Sequence, residues 1–200
     1  MYASLGNLDE MKLLWGLQKA KCKKHTNINY IWMLGSLVKL GELEESEKLL
    51  KEWESSCKNY DFGVPNVPLI GYCQKGFVEK TEAMLQDIIK RRKTAIPNSW
   101  SIVAAGYVNK NNIEKAFECF KEALALLAEN KDWRPKTSLI SSILRWRTKV
   151  PTNRDMYHAL LKAFIRNGKE VEGLLECMRD DKIDEDEETM KILSLGEQKP

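Results

Sequence analysis

A length of 200 residues admits one ordinary domain or about five to six short repeats. Hydrophobic content of 43% with 30% charged residues excludes a disordered chain, and no apolar run approaches the ~20 residues of a membrane-spanning helix. The net charge of +3 is too small to imply a polyanionic partner by itself.

The chain enters mid-repeat. Tyr2 to Gly6 has the pattern of the tail of a first helix, so residues 1–26 are read as a partial repeat and the chain as part of a longer protein. No secretory signal and no Arg/Ser-rich transit segment precedes it. A period then becomes visible: Gly6, Gly41, Gly76 and Asn111 follow one another at intervals of 35 residues. Two positions on stand Leu8, Leu43, Val78 and Ile113, and three on stand Asp9, Glu44, Glu79 and Glu114. Upstream, Tyr2, Leu37, Tyr72 and Tyr107 align, and Gly71 matches Gly106.

Each copy reads as a helix–turn–helix. A first helix of about a dozen residues closes at the glycine, which takes the left-handed conformation; Asn111 is the usual substitute. The acidic residue three positions later falls in the first turn of a second helix, where the dipole favours it. Ile113, Ala116, Phe117 and Phe120 give that helix one apolar face. Three full repeats follow, 27–61, 62–96 and 97–136. No stretch alternates with period two, so no strand is predicted. The fold class is all-α, a right-handed α-solenoid of antiparallel helix pairs.

The pattern breaks after Asn130. A first helix begins near Thr137, but Arg147 to Pro151 already reads as a linker. Residues 137–153 thus form a truncated repeat of 17 residues where 35 are expected. A terminal repeat, 154–190, starts its first helix at Asp155 and closes it at Gly168, leaving 191–200 as a tail. With one helix missing, Asp155–Asn167 is expected to change layers, or the stack to end near Trp146.

Tyr30-Ile31-Trp32-Met33-Leu34, Lys39 to Ser46, Gln74 to Thr81 and Trp100 to Ala116 resemble the pentatricopeptide repeat family, in its plain plant organellar type. The likeness runs from Tyr2 to about Met190. It implies single-stranded RNA as the partner, a mitochondrial or chloroplast setting, and one nucleotide per repeat. It also implies that the fifth and last residues of each repeat read the base. Those positions hold Ile31 with Asp61, then Asn66 with Ile96, or with Asn98 if the linker shifts the frame. They continue as Ser101 with Lys136, Ser141 with Asn153, and His158 with Asp186. By the resemblance an Asn favours a pyrimidine and a Ser a purine. Ile31 and Ile96 depart from the pattern because they cannot hydrogen-bond a base, and Lys136 suits a phosphate better than a base edge. A protein-binding scaffold, such as a subunit of an organellar ribosome or ribonucleoprotein, is the second reading.

Cys22, Cys57, Cys73, Cys119 and Cys177 show no CxxC spacing and have only His25 and His158 beside them. Neither a disulfide framework nor a metal site is expected, and a reducing compartment is. Basic clusters stand at Lys19, Lys21, Lys23 and Lys24, at Lys90 to Lys93, and at Arg145, Arg147 and Lys149. They are read first as cations at helix ends, and second as phosphate contacts. Trp15, Trp53 and Trp100 have core spacing and are assigned to packing. The acidic run Asp180 to Glu188 is read as a solvated cap. No phosphate loop, nucleophile elbow or His–carboxylate set is present, so no catalysis, cofactor or membrane is expected. A monomer is.

Overall fold

A computed structural model describes residues 8–21, 26–92, 94, 96–126, 129–130, 132–146 and 153–197. These form eleven helices, with no strand among the described residues. The chain divides into two compact units, Met1–Thr94 and Ala95–Pro200. The first unit holds α1 (Leu8–Lys21), α2 (Asn27–Leu40), α3 (Leu43–Ser56), α4 (Gly63–Gln74) and α5 (Val78–Arg92). The second holds α6 (Pro97–Asn109), α7 (Ile113–Ala125), α8 (Thr137–Trp146), α9 (Arg154–Arg166), α10 (Glu172–Asp180) and α11 (Glu187–Glu197). The stretch Tyr2–Gly6, the linker at Arg147–Pro151, and Cys22, Lys23, Lys24, His25 and Lys93 lie outside the described residues.

The 35-residue column is a turn. Gly41, Gly76, Asn111 and Gly168 all have positive φ, at 85°, 81°, 57° and 63°. Each makes the same pair of bonds. Gly41 N donates to Val38 O at 3.0 Å while Glu42 N reaches Leu37 O at 2.9 Å. The partners repeat at Gly76 and Phe77, at Asn111 and Asn112, and at Gly168 and Lys169. This pair satisfies the last carbonyls of the first helix and turns the chain into the second. Lys182, also at φ 57°, closes α10 in the same way without the glycine or asparagine that would announce it. Because Gly41 sits in a left-handed well, Gly41→Ala is expected to cost about 1 kcal/mol. Gly35 lies inside α2, and a Cβ there meets nothing within 4 Å. Gly35→Ala should therefore stabilise by up to ~1 kcal/mol, and opposite shifts in melting temperature would check both.

In the first unit the core joins Tyr30, Leu34 and Leu37 of α2 to Leu49, Leu50 and Trp53 of α3 and Val64 of α4. Burying such side chains contributes roughly 1.5–3 kcal/mol each. Five residues past the turns at Gly41, Gly76 and Asn111 stands a small buried residue, Ser46, Thr81 and Ala116 in turn, all at 0% exposure. The hydroxyls of the first two bond backwards to Leu43 O and Phe77 O, so a polar side chain is accommodated where helices meet. Ion pairs link the second helices: Lys12–Glu45 and Lys19–Glu52 join α1 to α3, and Glu47–Lys80 and Glu54–Arg91 join α3 to α5. Each pair keeps at least one exposed partner, so it is worth about 0–1 kcal/mol and sets alignment more than stability.

The second unit begins in the same style, with α6 and α7 as a tight hairpin around Val103, Tyr107, Ala116 and Phe120. Past it the order changes. α8 packs on both α6 and α7, whereas α9 packs on α7, α10 and α11. Tyr157 OH donates to Cys177 O at 2.8 Å, tying the end of α10 to the start of α9.

Candidate nucleic-acid interface

Every last-position residue lies where a first helix begins. The carbonyls of Thr26, Asp61, Ile96 and Lys136 accept from the N–H three residues on, at 3.0–3.1 Å. Asn153 Oδ1 accepts from Met156 N at 3.0 Å, and Asp186 Oδ1 from Thr189 N at 2.9 Å. These positions therefore have a structural reason to be Thr, Asp or Asn, since such residues satisfy otherwise orphaned backbone donors. Asp61 is bound further: Gly63 N donates to its Oδ1 at 2.8 Å and Asn27 Nδ2 to its Oδ2 at 3.1 Å. Asn27 in turn accepts from Trp53 Nε1 at 2.9 Å, which couples the start of one repeat to its second helix.

The fifth positions follow five residues after each of these caps, near the start of every first helix. Asn66 and Ser101 are buried at 6% and 5% exposure, and Ile31 is half-buried. The Ser101 hydroxyl is buried without a hydrogen-bond partner among the described residues. Ser141, Lys136, Asn98 and Asn153 are exposed, and Ile96 is half-buried. His158 lies against α11: its Nε2 is 2.9 Å from Thr189 Oγ1 and 3.4 Å from Asp186 Oδ1. The described residues thus place the register positions at one end of each first helix, but His158 is engaged by its neighbouring helix.

Trp32, beside Ile31, is 71% exposed. One repeat later Val67 holds the same position and packs against the α2 core. Trp32 borders an open cleft of about 590 Å³ shared with Met11, Leu14, Trp15 and Lys39. Sequence reasoning singled out Trp15, Trp53 and Trp100 for packing, and Trp53 and Trp100 are buried at 2% and 9%.

The basic clusters end helices. Lys19, Lys90, Arg91, Arg92 and Arg145 fall in the last turns of α1, α5 and α8. Lys19 and Arg91 are paired with Glu52 and Glu54, and the Arg92 guanidinium lies 4.3 Å from the Tyr60 ring centroid. Among the described residues no group of three or more His, Cys, Asp and Glu is placed to hold a metal ion. No described helix is long and apolar enough to cross a membrane.

A polar triad missed by sequence reasoning joins Tyr72, Glu47 and Lys80. Lys80 Nζ donates to Tyr72 OH at 2.9 Å and lies 2.6 Å from Glu47 Oε1, to which Tyr72 OH also donates. The signal was available, because Lys115 Nζ meets Tyr107 OH at 3.3 Å one period later. Burial works against the Glu47 carboxylate, but the bonds from Lys80 and Tyr72 outweigh it and hold the group below its ordinary 4.5. The bond to Glu47 likewise pushes Lys80 up to about 12. A lowered carboxylate stabilises the fold fully above its ordinary value and loses that contribution as pH falls through the lowered one. Glu47→Gln should therefore lower stability at neutral pH, change it little at low pH and so flatten the acid limb of a stability–pH profile; an unchanged acid limb contradicts this assignment.

The model of the PPR repeat matches residues 33–57 and 98–125. A mitochondrial pentatricopeptide repeat-containing protein of Arabidopsis thaliana is 43% identical over 97% of this chain, which covers 43% of that protein. The large ribosomal subunit protein mL101 of the same plant is 23% identical over 96% of the chain and 43% of its own length. The crystal structure of the maize pentatricopeptide repeat protein PPR10 superposes on 98% of the chain and 35% of its own, at 15% identity and a TM-score of 0.48. The chain spans less than half the length of the curated relatives it matches. Matched repeats and this degree of identity over nearly the whole chain lead to one assignment: the chain belongs to the pentatricopeptide repeat family.

Proposed function

We propose that this chain binds single-stranded RNA in a plant mitochondrion, through the first-helix ends that carry the fifth and last repeat positions. The register carries the reading: the fifth position falls near the start of each described first helix, and Ser141 is exposed there. Ser141 supplies a base-edge group, as do the exposed Asp61 and Asn98 at the starts of their own first helices. Lys136 and the exposed lysines near helix ends meet phosphates. Ile31 contributes apolar contact and Ile96 shape; neither reads an edge. The mitochondrial setting rests on relatives named as mitochondrial.

A scaffold within a ribonucleoprotein is the second reading, favoured by the likeness to a protein named as a large ribosomal subunit component. Base preference separates the two. Ser141→Asn is expected to shift the preferred nucleotide at one position from purine to pyrimidine in a selection from random RNA, with little loss of affinity. An unchanged selected sequence, or none, would favour the scaffold.

A further inference from the structure

Eight large hydrophobic side chains are exposed among the described residues, and five of them belong to α1 and α2: Leu13, Leu14, Leu17, Ile28 and Trp32. Leu13 and Leu17 lie one turn apart on α1, as do Ile28 and Trp32 on α2. Leu14 and Trp32 both line the cleft of about 590 Å³, which joins the two pairs into one apolar face. The repeat does not require this face. One, two and three periods on from Leu13 stand Lys48, Ala83 and Glu118, and from Leu17 stand Glu52, Asp87 and Glu122. Glu52 makes an ion pair with Lys19 of the neighbouring second helix. Gly63 and Asn98, the counterparts of Ile28, are exposed and carry no apolar side chain. An apolar patch where sibling repeats are polar marks a contact with another molecule.

We propose that this face binds a second copy of itself, in a two-fold dimer where Trp32 of each copy enters the cleft of the other. The projecting ring and the cleft lie on the same face, as an isologous contact requires. Gly35 lines that cleft, and a Cβ there would meet nothing within 4 Å, so the incoming indole has room. Gly16 is likewise open on α1 and lets two helices approach closely. Charge fixes the direction. α1 carries Asp9 and Glu10 in its first turn and Lys19 and Lys21 in its last. A two-fold axis runs α1 antiparallel to its counterpart. One register then places Leu14 opposite Leu17, and Glu10 opposite Lys21, of the second copy. The same pairs recur on the other side of the axis, so each attraction counts twice. A parallel arrangement would set acid against acid and base against base. The dimer takes the place of the monomer expected from the sequence, and it does not depend on RNA.

Sedimentation equilibrium of the whole chain without RNA tests this. The weight-average mass should rise with concentration from that of one chain to that of two and stop there. Trp32→Ala and Leu17→Glu should each weaken the dimer by about tenfold or more, as truncating or charging a central anchor does. Both side chains are exposed, so neither change should move the melting temperature of the dilute protein. Lys21→Glu should weaken the dimer severalfold, and adding Glu10→Lys in the same chain should restore it. A mass that stays at one chain up to about 0.1 mM overturns the proposal and leaves the face to a different partner. Growth past two copies, or a dimer unmoved by Trp32→Ala and Leu17→Glu, also overturns it. So does a charge-reversed double variant that associates no more tightly than Lys21→Glu alone.

Discussion

Trp53→Ala is expected to destabilise the protein by about 3–5 kcal/mol, among the largest effects of any single truncation in the first unit. The ring is 2% exposed within the α2–α3–α4 core, and its centroid lies 4.9 Å from that of Tyr60. Two costs combine. The cavity forfeits the contacts of a large aromatic, and Asn27 loses the indole N–H that its Oδ1 accepts at 2.9 Å. Trp53→Phe separates them: it keeps most of the volume and removes the donor, so it should lose only about 1–3 kcal/mol. Denaturant midpoints at unchanged slope would measure both. A loss below about 1 kcal/mol for the alanine variant would mean that Trp53 does not anchor this core.

Gly71→Val should also destabilise, less than Trp53→Ala and for the opposite reason. A Cβ at Gly71 would stand 2.7 Å and 2.8 Å from the two methyls of Val38 and 3.1 Å from Leu43 Cδ2. Val38 is β-branched and has one favoured rotamer in a helix, so it cannot swing aside. Overpacking of this kind costs about 1–3 kcal/mol. In Gly71→Ala the clash is partly offset by the ~1 kcal/mol that alanine gains over glycine in a helix, so the loss should be smaller. Val38→Ala should relieve the valine variant, and a double-mutant cycle measures that coupling directly. Additive effects would contradict the close approach of α4 to the α2–α3 turn.

The repeat was legible because its strongest signals are local. A left-handed turn accepts glycine or asparagine and little else, so Gly41, Gly76, Asn111 and Gly168 announced helix ends that the structure places there. Lys182 takes the same conformation with no such signal, because the bonds around it outweigh the strain of one side chain. α4 was legible only through the register. Pro65 and Pro68 lower its intrinsic helix propensity, and packing of Val64, Leu69 and Tyr72 holds it instead. At the candidate site, the fifth and last positions came from the family resemblance laid on the register, which did not show that Asn153 and Asp186 accept backbone N–H groups at helix starts, because a cap and a base reader call for the same Asn, Asp and Thr. The partner of His158 was out of reach as well. Thr189 is 31 residues away and meets it only because α11 packs on α9.

The central claim is that the first-helix ends of this chain hold single-stranded RNA. The most direct test is fluorescence anisotropy of the purified protein with labelled single-stranded RNA pools at roughly 50 and 200 mM salt, with Asn66→Ala measured alongside. The account predicts binding at low salt that weakens as salt displaces phosphate contacts, and that weakens further in the alanine variant. No binding at low salt would contradict it and leave a helical scaffold whose partner is a protein.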